Sequence, residues 1–285
     1  MKNNAKVKFK KLLGPVVIFV ILLIISLIFV TPFIWTLLTS FKSNEEIYSV
    51  QLKILPSFIT FGHYIKVLTQ MESFIQYTMN SVEVSFWSIG LTIIFSTTMG
   101  YAFSKINFRG KNILFIFIML VLTLPYVIYL IPIYMFESRM DLIDTTWGLI
   151  LPYIATNLPM AVIIMRGQYN SIPKAIEEAA TIDGCTQWNS FVHIMLPLVK
   201  PAIATVIIYT FINVWGEFTF ARTLTSTAKS QTLPVGITFL RDEAASWQYG
   251  TLCAVIMLSM IPLLVIFLSM QKYLIKGIME GAIKG

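Results

Sequence analysis

The chain has 285 residues, of which 56% are hydrophobic and only 12% charged. That composition, with a mean hydropathy of +0.77, excludes an ordinary soluble globular domain and points to a polytopic membrane protein. The formal net charge of +7 suits an anionic lipid surface and gives no ground for a nucleic-acid partner.

Apolar runs of about 20 residues, enough to cross roughly 30 Å of hydrocarbon, fall at Leu12–Leu38, Ser81–Phe103, Ile113–Phe136, Trp147–Met165, Ala202–Ala221 and Thr251–Met270. They predict an all-α membrane protein with six transmembrane helices. Its parts are a basic N-terminus (1–11), a transmembrane domain (12–271) with an inner loop at 166–201, and a C-terminal tail (272–285). The first run is too long for a signal-peptide core and has no A-x-A site after it, so it is read as a retained span. The outer loop that follows, Thr39–Asn80, is the largest extramembrane piece and leaves no room for a soluble catalytic domain.

Basic residues are retained on the cytoplasmic side of short loops. With the N-terminus inside, the inner segments hold fourteen of the 21 basic residues, among them Lys10, Lys11, Lys105, Lys111, Arg166 and Lys174. Both termini are therefore expected in the cytoplasm. Glu83 and Glu217 fall inside spans, where a carboxylate usually faces protein or water. Glu83 is close enough to its span's end to be simply solvated. Pro32, Pro125, Pro132, Pro152, Pro159 and Pro262 predict kinked helices, with the fourth span, WGLILPY, as the candidate gating helix. His63 and His193 lie on opposite faces of the membrane and Cys185 and Cys253 in segments where no disulfide is expected, so no imidazole and thiolate metal cluster is foreseen. No phosphate-binding loop occurs either: Gly110-Lys111 lacks the upstream glycine and is followed by Asn112.

The most specific segment is the inner loop from Pro173 to Pro201. Pro173 can begin a helix and Gly184 can end one. Between them Ala175, Ala179 and Ile182 form a narrow apolar face beside Glu177, Glu178 and Asp183. Glu178-Ala179-Ala180, then Asp183-Gly184, then Ile194 with Leu196-Pro197, resembles the EAA loop of ATP-binding-cassette (ABC) importer permeases, in their carbohydrate-uptake, maltose-transporter branch. The resemblance spans nearly the whole chain. It implies a type I importer permease fold in which Glu177, Glu178, Ala179, Ala180, Asp183 and Gly184 form the coupling helix that docks on a cytoplasmic ATPase.

In the fifth span, Asn213-x-Trp215-Gly216-Glu217-Phe218 resembles the W-N-E-F segment of sugar permeases, with Gly216 in place of Asn. Asn213 and Glu217 are expected on one helical face, with Trp215 or Phe218 available to stack on a sugar. The alternative role for these polar groups is hydrogen bonding between helices. The tail resembles the Q-x-Y-hydrophobic-x-K-G and G-A-hydrophobic-K-G ends of the same family, which implies ATPase contacts at Gln271, Lys276, Gly277, Gly281 and Lys284. Interfacial anchoring by the lysines is the other reading.

The resemblance thus implies a non-catalytic permease of the cell membrane that translocates a carbohydrate. Its implied partners are a second, homologous permease, two ATPases that bind the ATP and Mg, and an extracellular sugar-binding protein. An ion-coupled secondary transporter would need a relay of buried acids or histidines, which two glutamates poorly supply. An intramembrane enzyme would need a nucleophile and base within the spans, and no such set is visible.

Overall fold

A computed structural model describes residues 2–51, 53–243 and 248–282, with side chains from 14 to 273 apart from 52 and 240–247. The order is α1 (Lys2–Ser40), α2 (Asn44–Ile47), α3 (Gly62–Gln70), α4 (Glu72–Lys105), α5 (Lys111–Leu120), α6 (Leu130–Arg139) and α7 (Thr146–Ser171). It continues with α8 (Lys174–Ile182), α9 (Gln187–Asn189), a π-helical turn (Ser190–Met195), α10 (Leu196–Leu198), α11 (Lys200–Trp215), α12 (Thr219–Leu224), α13 (Leu233–Glu243) and α14 (Tyr249–Ala282). No strand occurs among the described residues. Among the described residues, four helices are long and apolar enough to cross a membrane, and up to six if each of two bent pairs forms one span.

The chain forms two compact units, Met1–Met71 with Ala244–Leu258, and Glu72–Glu243 with Ser259–Gly285. In the first, His63 on α3 is buried between Thr251 Oγ1 (3.0 Å) and the Lys42 carbonyl (3.0 Å). Gly250 lies against its ring, where a Cβ would collide with the imidazole.

The second unit is a bundle of α4, α7 and α11. Small polar residues of α4, Ser81, Ser85, Ser88, Thr92 and Ser96, recur at helical spacing and are all buried. Such residues let membrane helices approach closely. At Gly100 α4 and α7 approach closely, since a Cβ there would come within 2.6 Å of Met165 Cβ and 3.0 Å of the Arg166 nitrogen. One apolar cluster joins Val84, Leu149, Tyr153, Val214, Phe220 and Val235, and another joins Met165, Tyr169, Phe191, Met195 and Val206.

The breaks differ from those expected. The fourth span, the expected gating helix, is continuous from Thr146 to Ser171 despite Pro152 and Pro159. Its packing inside the bundle holds it together, and Thr156 Oγ1 and Asn157 Nδ2 donate to the Pro152 (2.9 Å) and Tyr153 (2.8 Å) carbonyls. The third span instead bends by 100° between Thr123 and Tyr126. Leu124 precedes Pro125 and takes an extended conformation (φ −99°, ψ 137°), as the proline ring demands of its neighbour. Tyr129 Oη donates to the Val121 carbonyl (2.9 Å), satisfying a group that the break frees. A second bend, of 72°, separates α10 from α11 at Val199, where Pro201 starts the new helix. The fifth span likewise ends early: α11 stops at Trp215 and α12 begins at Thr219.

Outside the spans, Asp144 pins the loop before α7 to the loop after α12. Its carboxylate accepts from the N–H groups of Ser226 (2.8 Å) and Thr227 (3.0 Å) and from the Ser230 hydroxyl. Burial pushes the carboxyl up, but these bonds outweigh it and bring Asp144 down to about 2.

Candidate coupling helix and transport cavity

Pro173 precedes α8, whose nine residues end in a Schellman turn. Gly184 has φ +78°, the Cys185 N–H reaches the Ala180 carbonyl (3.0 Å), and the Gly184 N–H reaches that of Thr181 (3.1 Å). A Cβ at Gly184 would meet nothing within 4 Å, so only the left-handed backbone favours glycine here.

The residues expected to couple divide between two faces. Glu178, Ala179, Ile182 and Asp183 are exposed, Ile182 at 85%, and form a presented surface with Ala175. Ala180 is buried, which corrects the expectation that it lies on the docking face. Glu177 also turns inward and pairs with Lys105 at the end of α4. Lys105 donates further to the Ile172 carbonyl (3.1 Å). Ile176 packs on the cluster around Tyr169 and Phe191. One face of α8 thus clamps it to the bundle and leaves the other available.

Asn213 and Glu217 do not share a helical face, because α11 ends between them. They meet in space all the same. Both line a cavity of about 470 Å³ together with Tyr126, Tyr153, Thr156, Asn157, Tyr209, Gly216 and Phe218–Phe220. The Glu217 carboxylate accepts from Tyr153 Oη (2.7 Å) and from the backbone N–H groups of Phe220 (2.8 Å) and Ala221 (3.0 Å). It therefore fixes the turn from α11 into α12 against α7. Asn213 Nδ2 donates to Asn157 Oδ1 (2.9 Å), and Tyr126 Oη lies 3.1 Å from Thr219 Oγ1.

Trp215 is corrected as a pathway residue. It is buried, stacks on Phe211 (5.3 Å between centroids) and donates to the Ser259 carbonyl (3.1 Å), away from the cavity. Phe218 does line the cavity and is exposed. Tyr126, Tyr153 and Asn157 escaped the sequence reading, although Tyr153, Thr156 and Asn157 form a polar run within an otherwise apolar span. Glu83 is exposed and outside this group. In the tail, α14 runs unbroken through Gln271 to Ala282. At Lys276, Gly277 and Gly281 only the helical backbone is described, and Lys284 lies outside the described residues.

The cavity supplies hydroxyl, amide and aromatic groups, with one carboxylate and no Lys, Arg or His among its lining residues. It can hydrogen-bond and stack on a small polar molecule.

Comparison with known proteins agrees with this architecture. The chain is 38% identical to a putative ABC transporter permease of Caldicellulosiruptor sp. (strain Rt8B.4) over 94% of its own length and 96% of the relative's. It is 31% identical to a galactooligosaccharide transport system permease of Bacillus subtilis (strain 168) over 99% of both. Among solved structures, a bacterial ABC transporter involved in the import of the acidic polysaccharide alginate superposes with a TM-score of 0.80 at 24% identity, covering 92% of this chain and 96% of that one. The profile of the binding-protein-dependent transport system inner membrane component family matches residues 92–280, and the chain belongs to that family, the permeases of ABC transporters.

Proposed function

We propose that the chain is the non-catalytic half-pathway of an ATP-driven importer for an oligosaccharide. The observation that carries this reading is α8, held to the bundle by Lys105, Glu177 and Ile176 while Glu178, Ala179 and Ile182 face outward. A cytoplasmic ATPase docks on that outward face and supplies the ATP and Mg site. Two copies of it, a second homologous permease and an extracellular sugar-binding protein complete the complex. Relatives named for galactooligosaccharide, arabinooligosaccharide and diacetylchitobiose uptake support a carbohydrate substrate.

Both termini face the cytoplasm, and the membrane domain covers residues 12–271 with the coupling loop at 166–201. The tail from 272, including Gln271 at its border with Lys276, Gly277, Gly281 and Lys284, reaches the ATPases. Closure of the ATPases on ATP draws the coupling helices together and opens the cavity at Asn213 and Glu217 outward. The test is uptake of labelled oligosaccharides into vesicles that hold the four-subunit complex. Uptake needs internal ATP and external binding protein and survives a protonophore. Uptake driven by a proton gradient without ATP overturns the reading.

A further inference from the structure

The far end of α1 carries a second cavity, of about 590 Å³, lined by Trp35, Thr39, Lys42, Ile47, Tyr48 and Tyr249 among others, all within the unit of residues 1–71 and 244–258. Lys42 is only 4% exposed. Its ammonium donates to the Lys53 carbonyl and sits 5.1 Å from the centre of the Trp35 ring, so neither of these partners carries a formal negative charge. An ammonium has three donors. The ion pair found among the described residues is Lys105 with Glu177, elsewhere in the chain. Glu46 borders the same cavity and its charge acts on Lys42 and Lys53 from a distance, but its Oε1 accepts the Ser57 N–H (2.8 Å) and hydroxyl (3.0 Å), and it makes no contact ion pair with Lys42. A buried cation with no carboxylate in contact is costly, and an anionic oxygen in the cavity would offset that cost.

A second observation points the same way. Thr39, in the last turn of α1, is 3% exposed and its Oγ1 has no hydrogen-bond partner, and it lines this cavity beside Lys42, whose N–H reaches the Thr39 carbonyl (3.1 Å) in the turn that follows the helix. An unpartnered hydroxyl, that of Thr39, and the Lys42 ammonium, held by a neutral carbonyl, thus converge on one space. That space opens where α1 leaves the hydrocarbon: Phe33, Ile34 and Leu37 are exposed apolar residues just before it. Trp35, Tyr48 and Tyr249 supply the aromatic groups that favour the headgroup level. Lys53 adds a second positive charge at the rim against the single carboxylate of Glu46.

We propose that this cavity binds the phosphate of an anionic phospholipid from the leaflet opposite the chain termini, with Lys42 and Thr39 donating to it and the acyl chains lying along α1. The lipid braces the junction between α1 and the loop through α2. Phosphatidylglycerol is the probe. The purified complex, stripped of lipid in detergent, is titrated with phosphatidylglycerol and its bound lipids are counted by native mass spectrometry. The wild type retains one more tightly held phosphatidylglycerol per copy of this chain than Lys42→Gln, whose affinity at that site falls by about fivefold, the equivalent of about 1 kcal/mol per lysine at a headgroup. Lys42→Arg restores it. Should Lys42→Gln fail to assemble, the near-isosteric Thr39→Val keeps the charge and weakens retention on its own. Equal retention by the wild type and an assembled Lys42→Gln, or by the wild type and Thr39→Val, overturns the proposal. Displacement of the lipid by millimolar glycerol phosphate, which would make a soluble phosphate the occupant, overturns it as well.

Discussion

Tyr153 donates its phenolic hydrogen to Glu217 across 2.7 Å, joining the middle of α7 to the turn where α11 gives way to α12. The same carboxylate receives two backbone N–H groups, so it holds the wall of the polar cavity in place. Glu217→Gln replaces one acceptor oxygen with a donor and leaves at least one of three donors unmet, at a cost of about 1–3 kcal/mol. Transport falls and the melting temperature of the complex drops with it. In a double-mutant cycle with Tyr153→Phe, the two losses are less than additive. Full additivity separates the residues and assigns Glu217 to substrate contact alone.

The two faces of α8 predict two phenotypes. Ala179→Arg, on the exposed face, leaves the permease pair assembled but abolishes copurification of the ATPase or its stimulation by loaded binding protein. Ala180→Arg forces a charge into a buried position and destabilises the permease itself, by more than about 3 kcal/mol. Thermal unfolding and ATPase copurification distinguish them. Identical behaviour of both variants removes the face assignment.

Gly184 separates conformation from contact. Its Cβ position is empty, so Gly184→Val costs about 1 kcal/mol or somewhat more through the left-handed backbone rather than through a clash within this chain. Gly184→Asn, which tolerates that conformation better, is milder. Transport by the Asn variant matching that of the Val variant would place the defect in the docking surface instead.

Topology is tested with native Cys185, which is partly exposed, and a Lys229→Cys substitution at an exposed position, in a background lacking the buried Cys253. A membrane-impermeant maleimide added to whole cells labels position 229 and spares 185. The reverse pattern inverts the assigned orientation.

His63 makes the unit of residues 1–71 and 244–258 sensitive to acid. Burial holds its imidazole below the usual value of 6.5, outweighing the hydrogen bond to the Lys42 carbonyl. The folded state therefore binds fewer protons than the unfolded one between those two values. Stability is complete above pH 6.5 and declines as the pH falls through that window toward the lowered folded value. Melting curves of the complex between pH 5 and 7.5 show this slope, and His63→Gln flattens it. An unchanged slope in the variant assigns the effect to another group.

Run length and hydrophobicity located the spans because crossing hydrocarbon leaves few alternatives, and the Pro173 to Gly184 boundaries follow from local backbone chemistry alone. The breaks were less legible. Pro152 and Pro125 look alike in sequence, yet only Pro125 bends its span, since α7 is enclosed by packing partners and the third span is not. The cavity was half visible: Asn213 and Glu217 stand out as polar residues in an apolar run, whereas Tyr153 and Asn157 approach them from α7 through tertiary folding. Ala180 looked equivalent to Ala179 because the apolar stripe does not say which side of a short helix faces its own bundle.

The contact of Gly100 with Met165 and Arg166 leaves α4 and α7 no side-chain cushion between their backbones. Two rods that touch in this way transmit a push without backlash. Lys105 and Glu177 tie α8 to that same α4, so α8, α4 and α7 are joined by direct contact, whereas the chain changes direction at Pro125 and Val199.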